Sequence, residues 1–230
     1  MMDFLKSRAK VSRQFDEYDF AVKAIDTTNQ WTVGASSTAT TWAVLAESGG
    51  WIRGVTGASL ATGGLQLSVP TKYWTGTNGA GFASLIRLSA VTEVRVEQGF
   101  ADVLPAVATT LVNLGSSSFN STVNAAVYLY DHAGSTTTSG IYTVGTSVAF
   151  GSVATTTNRY ASGVTLFVAL EVDGTNVKLW IGPPGGGPLA SRSTSVTPTT
   201  GMIPFISVVT SSGSKNLDLD ALWTWTLSRV

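Results

Sequence analysis

The chain has one histidine, and any Ser-His-Asp chemistry would have to use it as the base. His132 stands in Tyr130-Asp131-His132-Ala133-Gly134, a turn after a strand, and no Gly-x-Ser-x-Gly elbow accompanies it. An exposed turn histidine is the expectation. Paired carboxylates are the next possibility, because a glycosidase needs two of them about 5–5.5 Å or 6.5–9.5 Å apart. Glu93 and Glu97 share a strand face, but four residues of strand rise separate them by about 13 Å. With Arg95 between them they read as a surface Glu-Arg-Glu ladder. Glu171 and Asp173 are closer, yet Asp173 opens an Asp-Gly turn that explains it without a substrate.

Asp218-x-Asp220 puts two acids on one face of a strand. Calcium wants about six to eight oxygens, and no Asp-x-Asp-x-Asp-Gly loop supplies the rest. A structural role is expected, with Asp218 or Asp220 accepting from backbone or hydroxyl donors. The stretch from Ile181 to Pro188, IGPPGGGP, lacks the Lys-Ser/Thr of a phosphate loop and leads into no helix. The seven tryptophans, Trp31, Trp42, Trp51, Trp74, Trp180, Trp223 and Trp225, could stack sugar rings. Core or interface packing is the more ordinary use, and Trp223 with Trp225 reads as a packed pair on the last strand. No catalytic, cofactor-binding or metal-binding residues are expected.

The elements that must position these groups follow from composition and pattern. Charged residues make up 12% of the 230-residue chain, against about 25% in globular domains. It holds 32 Thr, 26 Ser and 24 Gly, so strand and turn formers dominate over the Glu, Lys and Arg that cover exposed helices. The net charge is zero, which argues against nucleic acid as a partner. Without cysteine, disulfides, thiolate metal sites and thiol nucleophiles are excluded. No apolar run approaches the roughly 18 residues of a membrane span. The first 26 residues are too charged for a signal peptide, so a soluble protein with no visible export signal is expected.

Ten charges fall within residues 1–26, and only 18 are spread over the rest. In that arm Phe4, Val11, Phe15, Tyr18, Val22 and Ile25 recur at steps of three, four or seven, the stripe of an amphipathic helix. Residues 1–30 are therefore expected to form a partly helical arm. Phe4, Val11, Phe15, Tyr18 and Val22 are its candidate partner-binding residues.

From about residue 31 short apolar runs alternate with turn clusters. Strands are expected at 42–46, 51–55, 64–69, 83–88, 91–98, 108–114, 123–130, 141–150, 164–172, 176–181, 204–210 and 217–227. Residues 31–230 thus read as one antiparallel sandwich. The 164–172 strand meets 176–181 across Asp173-Gly174-Thr175 as a hairpin. Leu166, Val168, Leu170 and Val172 lie on one of its faces, and Phe167, Ala169, Glu171 and Asp173 on the other. Apolar residues at both Ala221 and Leu222 break the alternation of the last strand, so a bulge is expected there.

A resemblance builds on these residues. Phe15-Asp16-Glu17-Tyr18-Asp19-Phe20, Trp31, the run from Gly49 to Gly57 (GGWIRGVTG) and Gly64-Leu65-Gln66-Leu67 resemble the opening of a broad group of bacteriophage virion proteins. Those proteins have concanavalin-like (laminin-G-like) jelly-roll sandwiches. Tyr160, the hairpin from Val164 to Ile181, and Leu217-Asp218-Leu219-Asp220-Ala221-Leu222 are similar to their later hairpin and closing strand. The resemblance implies an all-β, antiparallel jelly-roll sandwich and a structural virion role without enzymatic activity. Its leading form is a capsid decoration (cement) protein on the phage head. The implied partners are the major capsid protein and copies of the chain itself as a homotrimer, with residues 1–26 making the contact. The alternative is a tail- or fibre-borne module that attaches to host glycans. Either would be made in the host cytoplasm and end on the virion.

Overall fold

The protein is described by a computed structural model covering residues 12–19, 25, 27, 32–36, 41–45, 50–59, 63–70, 74–75, 78–114, 118–120, 124–132, 137–145, 148–154, 160–173, 176–182, 190–193 and 201–227. The elements among these described residues are all strands: β1 (Ser12–Asp19), β2 (Thr32–Ala35), β3 (Thr41–Val44), β4 (Ile52–Val55), β5 (Gly64–Ser68), β6 (Ala80–Leu88), β7 (Val94–Ala101), β8 (Val112–Asn113) and β9 (Ser118–Phe119), followed by β10 (Ala125–Asp131), β11 (Thr138–Gly145), β12 (Val148–Ala154), β13 (Thr165–Val172), β14 (Asn176–Gly182), β15 (Ala190–Ser193), β16 (Ile203–Thr210) and β17 (Asn216–Leu227). The expected all-β antiparallel sandwich is what the chain forms.

Two sheets make the layers. One runs β15-β14-β13-β6-β17-β4-β3, with β1 also paired to β17; the other runs β12-β11-β10-β7-β16-β5-β2. Every pairing within them is antiparallel, and most neighbours are distant in sequence, as in β6 beside β17 and β7 beside β16. The main core lies between the sheets. Leu166, Val168, Leu170 and Val172 of β13 enter it, as do Val94 and Val96 of β7 and Leu217, Leu219 and Leu222 of β17. Period-2 alternation sends their sequence neighbours to the outer faces.

One polar link crosses this core. Gln98 of β7 donates through Nε2 to the Val168 carbonyl at 3.2 Å and accepts from Ser84 Oγ at 3.0 Å. A buried amide without partners would cost free energy, so both of its ends are tied. The link fixes β7 against β6 and β13 of the opposite sheet.

The register of β17 slips between Leu219 and Leu222, so Asp220 and Ala221 together face Leu85 of β6. This is the bulge that the doubled apolar pair announces. The slip also divides β17 on its other side. Asn216–Leu219 pairs with β4, and residues 221–227 pair with β1.

Here the structure corrects the expected helical arm. Residues 12–19 are strand, and Phe15 and Tyr18 register against Trp225 and Leu222. Past Leu219, β17 has outgrown β4, and its backbone groups on that side need partners that β1 supplies. Tertiary pairing overrides the helical spacing. Phe4, Val11 and Val22 lie outside the described residues, while Ile25 packs against the main core.

Two other expected strands differ. The run 141–150 is divided between the hairpin strands β11 and β12. In 108–114 only Val112–Asn113 is strand, and the segment instead forms a strap over the outer face of the second sheet.

Candidate functional site

The strap is held by Glu97, one of the acids read from the sequence as a surface ladder. Glu97 accepts the backbone N–H groups of Leu111 at 2.7 Å and Val112 at 2.9 Å, and Arg95 lies 3.2 Å from it. Arg95 also pairs with Asp131 at 3.2 Å and donates to the Val112 carbonyl. Gln66 donates to the Pro105 carbonyl, and a Cβ on Gly64 would lie 2.2 Å from the Val107 oxygen. The strap thus covers Ala101, Val127, Leu129, Tyr142 and Phe205. Burial pushes the Glu97 carboxyl above its ordinary value, while Arg95 and the two backbone donors pull it down.

The expected Glu-Arg-Glu surface ladder is therefore corrected. Arg95 and Glu97 do pair, but Glu97 is buried beneath the strap. Glu93 precedes β7, is exposed, and adopts φ 56°, with its carbonyl accepting from Ser211 N and Thr210 Oγ1. His132 is half-buried at the end of β10, with its backbone N–H on the Val94 carbonyl. Residues 183–188 of the Gly/Pro stretch and Trp31 lie outside the described residues.

The outer face of the eight-stranded sheet has two unlike ends. Ala83, Leu85, Phe167, Ala169, Trp180, Ala221, Trp223 and Trp225 form a buried apolar cluster along it. Trp223 and Trp225 are both members, as their shared face predicts. Within the cluster Trp225 registers against Gly81, and Gly81 against Glu171. A Cβ on Gly81 would stand 1.7 Å from Trp225 Cε2, so glycine leaves room for the indole to cross β6. Trp225 Nε1 then donates to Glu171 Oε2 at 3.3 Å.

About 20 Å along β6, by strand rise, the same face turns polar. Cross-strand pairing lines up Ala43, Arg53, Asp218, Arg87 and Thr165 from β3, β4, β17, β6 and β13. Arg53 binds Asp218 with two parallel bonds, Nε to Oδ1 at 2.6 Å and Nη2 to Oδ2 at 2.8 Å. Arg87 reaches Oδ2 through Nε at 3.0 Å and Nη2 at 2.8 Å. The Arg87 guanidinium lies 4.6 Å from the ring centre of half-buried Trp51.

Burial would push the Asp218 carboxyl up, but hydrogen bonds and charge from Arg53 and Arg87 win and hold it below its ordinary value. Asp218 has the structural role expected of it, with arginines in place of backbone or hydroxyl donors. Its side chain is 4% exposed, whereas Arg53 and Arg87 keep 32% and 25%. The arginines and Trp51 carry no sequence signal as a group, since 131 and 165 residues separate Arg87 and Arg53 from Asp218.

No family model and no curated protein matches the chain. Solved structures do. The Emp47p carbohydrate recognition domain aligns over 91% of this chain and 94% of its own, at 12% identity and TM-score 0.60. Bacillus licheniformis beta-glucanase aligns over 92% and 97%, at 11% identity and TM-score 0.59. LamAcat from Zobellia galactanivorans aligns over 95% and 100%, at 8% identity and TM-score 0.61. At such identities the likeness is one of fold. The chain has the concanavalin-like antiparallel β-sandwich found in both lectin domains and glucanases.

Proposed function

We propose that this chain is a non-catalytic, glycan-binding sandwich that serves a phage particle in host attachment from a tail or fibre. The observation that carries the reading is the half-open Arg53–Asp218–Arg87 strip beside Trp51, on a sandwich of the fold that the Emp47p carbohydrate recognition domain has. An indole edge next to fixed hydrogen-bond donors suits a sugar, which presents an apolar ring face and a hydroxyl rim. Among the described residues, three acids that a catalytic pair could draw on are tied into the fold. Glu97 clasps the strap, Glu171 takes the Trp225 N–H, and Asp218 is bound by two guanidiniums. The virion setting rests on the sequence resemblance.

A glycan array with the purified protein, followed by titration of the best oligosaccharide, tests this. Trp51→Ala is expected to weaken binding about tenfold, and incubation is expected to leave the oligosaccharide intact. Unchanged affinity in that variant would remove the platform, and cleavage would restore an enzymatic reading.

Capsid decoration is the second reading, with the major capsid protein and copies of this chain as partners. It rests on the sequence resemblance; the aromatic end of the outer face, with Trp180, Trp223 and Trp225 buried, offers no sugar platform. Because β1 is a strand of the main sheet, its contact segment has to be tested by removing only residues 2–10. Normal occupancy of that variant on purified heads would exclude those residues as the anchor.

A further inference from the structure

We propose that two copies of this chain pair edge to edge through β2 and β3, extending both sheets across a two-fold axis. Such pairing is independent of the glycan-binding reading. Among the described strands, β3 ends one sheet beside β4, and β2 ends the other beside β5. The two ends lie on the same side of the sandwich, because β4 faces β5: a Cβ on Gly54 would stand 2.7 Å from Leu65 Cδ1. Alternation of bonded and unbonded pairs then tells which backbone groups are left over. Leu45 N donates to the Trp51 carbonyl, so Thr41 and Ala43 bond inward to β4 while the N–H and C=O groups of Trp42 and Val44 point out of the sheet. Ser36 N donates to the Gly64 carbonyl in the same way, which turns those of Val33 and Ala35 outward from β2. Among the described residues nothing pairs with these four.

Edge strands are ordinarily kept apart by charged side chains or proline. The edge strand β1 carries Arg13, Asp16, Glu17 and Asp19, and β15 carries Arg192. No charge falls in β12, but it lies on the side of the sandwich that β15 guards. From Thr27 to Ala46, by contrast, the chain has neither a charge nor a proline.

The main core also reaches the surface at these two edges, where Val33, Trp42 and Val44 pack against it yet stay half-buried. A second copy is the occupant because the edge is self-complementary. An uncharged strand set antiparallel to itself meets matching backbone groups, and a chain of zero net charge does not repel its copy. A two-fold axis normal to the sheets makes the β3 and β2 contacts antiparallel together. Full pairing of so short a strand sets Trp42 against Val44 of the second copy, with exposed Ala43 next to the axis.

Sedimentation of the full-length chain over a wide concentration range is expected to give a monomer–dimer equilibrium. Hydrogen exchange at the Val33, Ala35, Trp42 and Val44 amides of the unaltered chain is expected to slow as concentration rises, with the amides of β12 unaffected. Ala43→Lys sets two like charges next to the axis and should weaken dimerisation about tenfold. Ala35→Pro removes an outward N–H and should also weaken it, with circular dichroism confirming that each variant is folded. A monomer at every concentration overturns the proposal and leaves the edge to a different chain. A trimer overturns the two-fold pairing. So does a dimer that both variants leave intact, or one whose four edge amides exchange as fast as in the monomer.

Discussion

Trp225 donates its indole N–H to Glu171 across Gly81, 3.3 Å from nitrogen to oxygen, linking β17 to β13 over the intervening β6. The three residues share one cross-strand row, and the link exists because the middle one has no side chain. Gly81→Ala is expected to lower stability by about 3 kcal/mol, since the new methyl would occupy the indole's place. Glu171→Gln should cost only about 1 kcal/mol, because the amide oxygen still accepts. Urea unfolding followed by tryptophan fluorescence measures both. A Gly81→Ala protein as stable as the parent would show that the indole does not lie there.

The triad makes a second stability prediction. Asp218→Ala leaves two guanidiniums without their shared acceptor and should cost about 2 kcal/mol, less than the roughly 3–5 kcal/mol of a fully buried ion pair because both arginines are half-open. Replacing all three residues by small polar ones should cost less than the single change. A double-mutant cycle between Arg53 and Asp218 would read the coupling directly.

Acid should act on Asp218 and Glu97 in opposite directions. The folded-state value of Asp218 lies below its ordinary 3.8, so its stabilisation is present above that pH and is lost as the pH falls through the lowered value. Glu97 lies above its ordinary 4.5, so the folded protein holds that proton better. Its contribution is complete below 4.5 and is lost as the pH rises through the raised value. Unfolding free energy measured against pH should therefore decline just above 4.5 in the parent. Glu97→Gln should remove that decline while leaving the acid limb of Asp218 in place. A parent-like slope in the variant would assign the decline to another group.

The strap gives a fourth test. In Glu97→Gln one amide oxygen replaces two carboxylate oxygens, so the Leu111 and Val112 N–H groups can no longer both be accepted. The expected cost at neutral pH is about 2 kcal/mol. Hydrogen exchange at those two amides should accelerate more than at the amides of β7 itself. Uniform acceleration would mean that strap and sheet open together.

Glu93 is the described non-glycine residue with positive φ, at 56°. A left-handed conformation costs an L-residue roughly 1–2 kcal/mol, and glycine returns part of that as unfolded-state entropy. Glu93→Gly is expected to stabilise the fold by about 0.5–1 kcal/mol and to leave glycan binding unchanged. Destabilisation would show that the Glu93 side chain makes a contact worth more than the strain.

Much of the sandwich was legible because strand alternation is a local property. The faces of the hairpin from 165 to 182, the inward Val94 and Val96, and the bulge at Ala221-Leu222 can each be read from the order of apolar and polar residues. Glu97 shows where that reading stops. Alternation correctly puts it on the outer face of its sheet, but whether that face meets water or a strap depends on a segment 14 and 15 residues away. Its apolar residues, Leu111 and Val112, look like one more strand until Glu97 takes their backbone donors.

The amino-acid sequence by itself determined the class of fold, the faces of the stronger strands and the lack of any thiol or histidine-cluster chemistry. All of these follow from composition and from a period of two along the chain. Tertiary structure decided that residues 12–19 are strand and not helix, because only the unpaired half of β17 demands them. It also decided that Arg53, Arg87 and Asp218 form one triad, because register between strands far apart in sequence sets which side chains share a row. Periodicity fixes the direction in which a residue points. Only the pairing of distant strands fixes what it meets there.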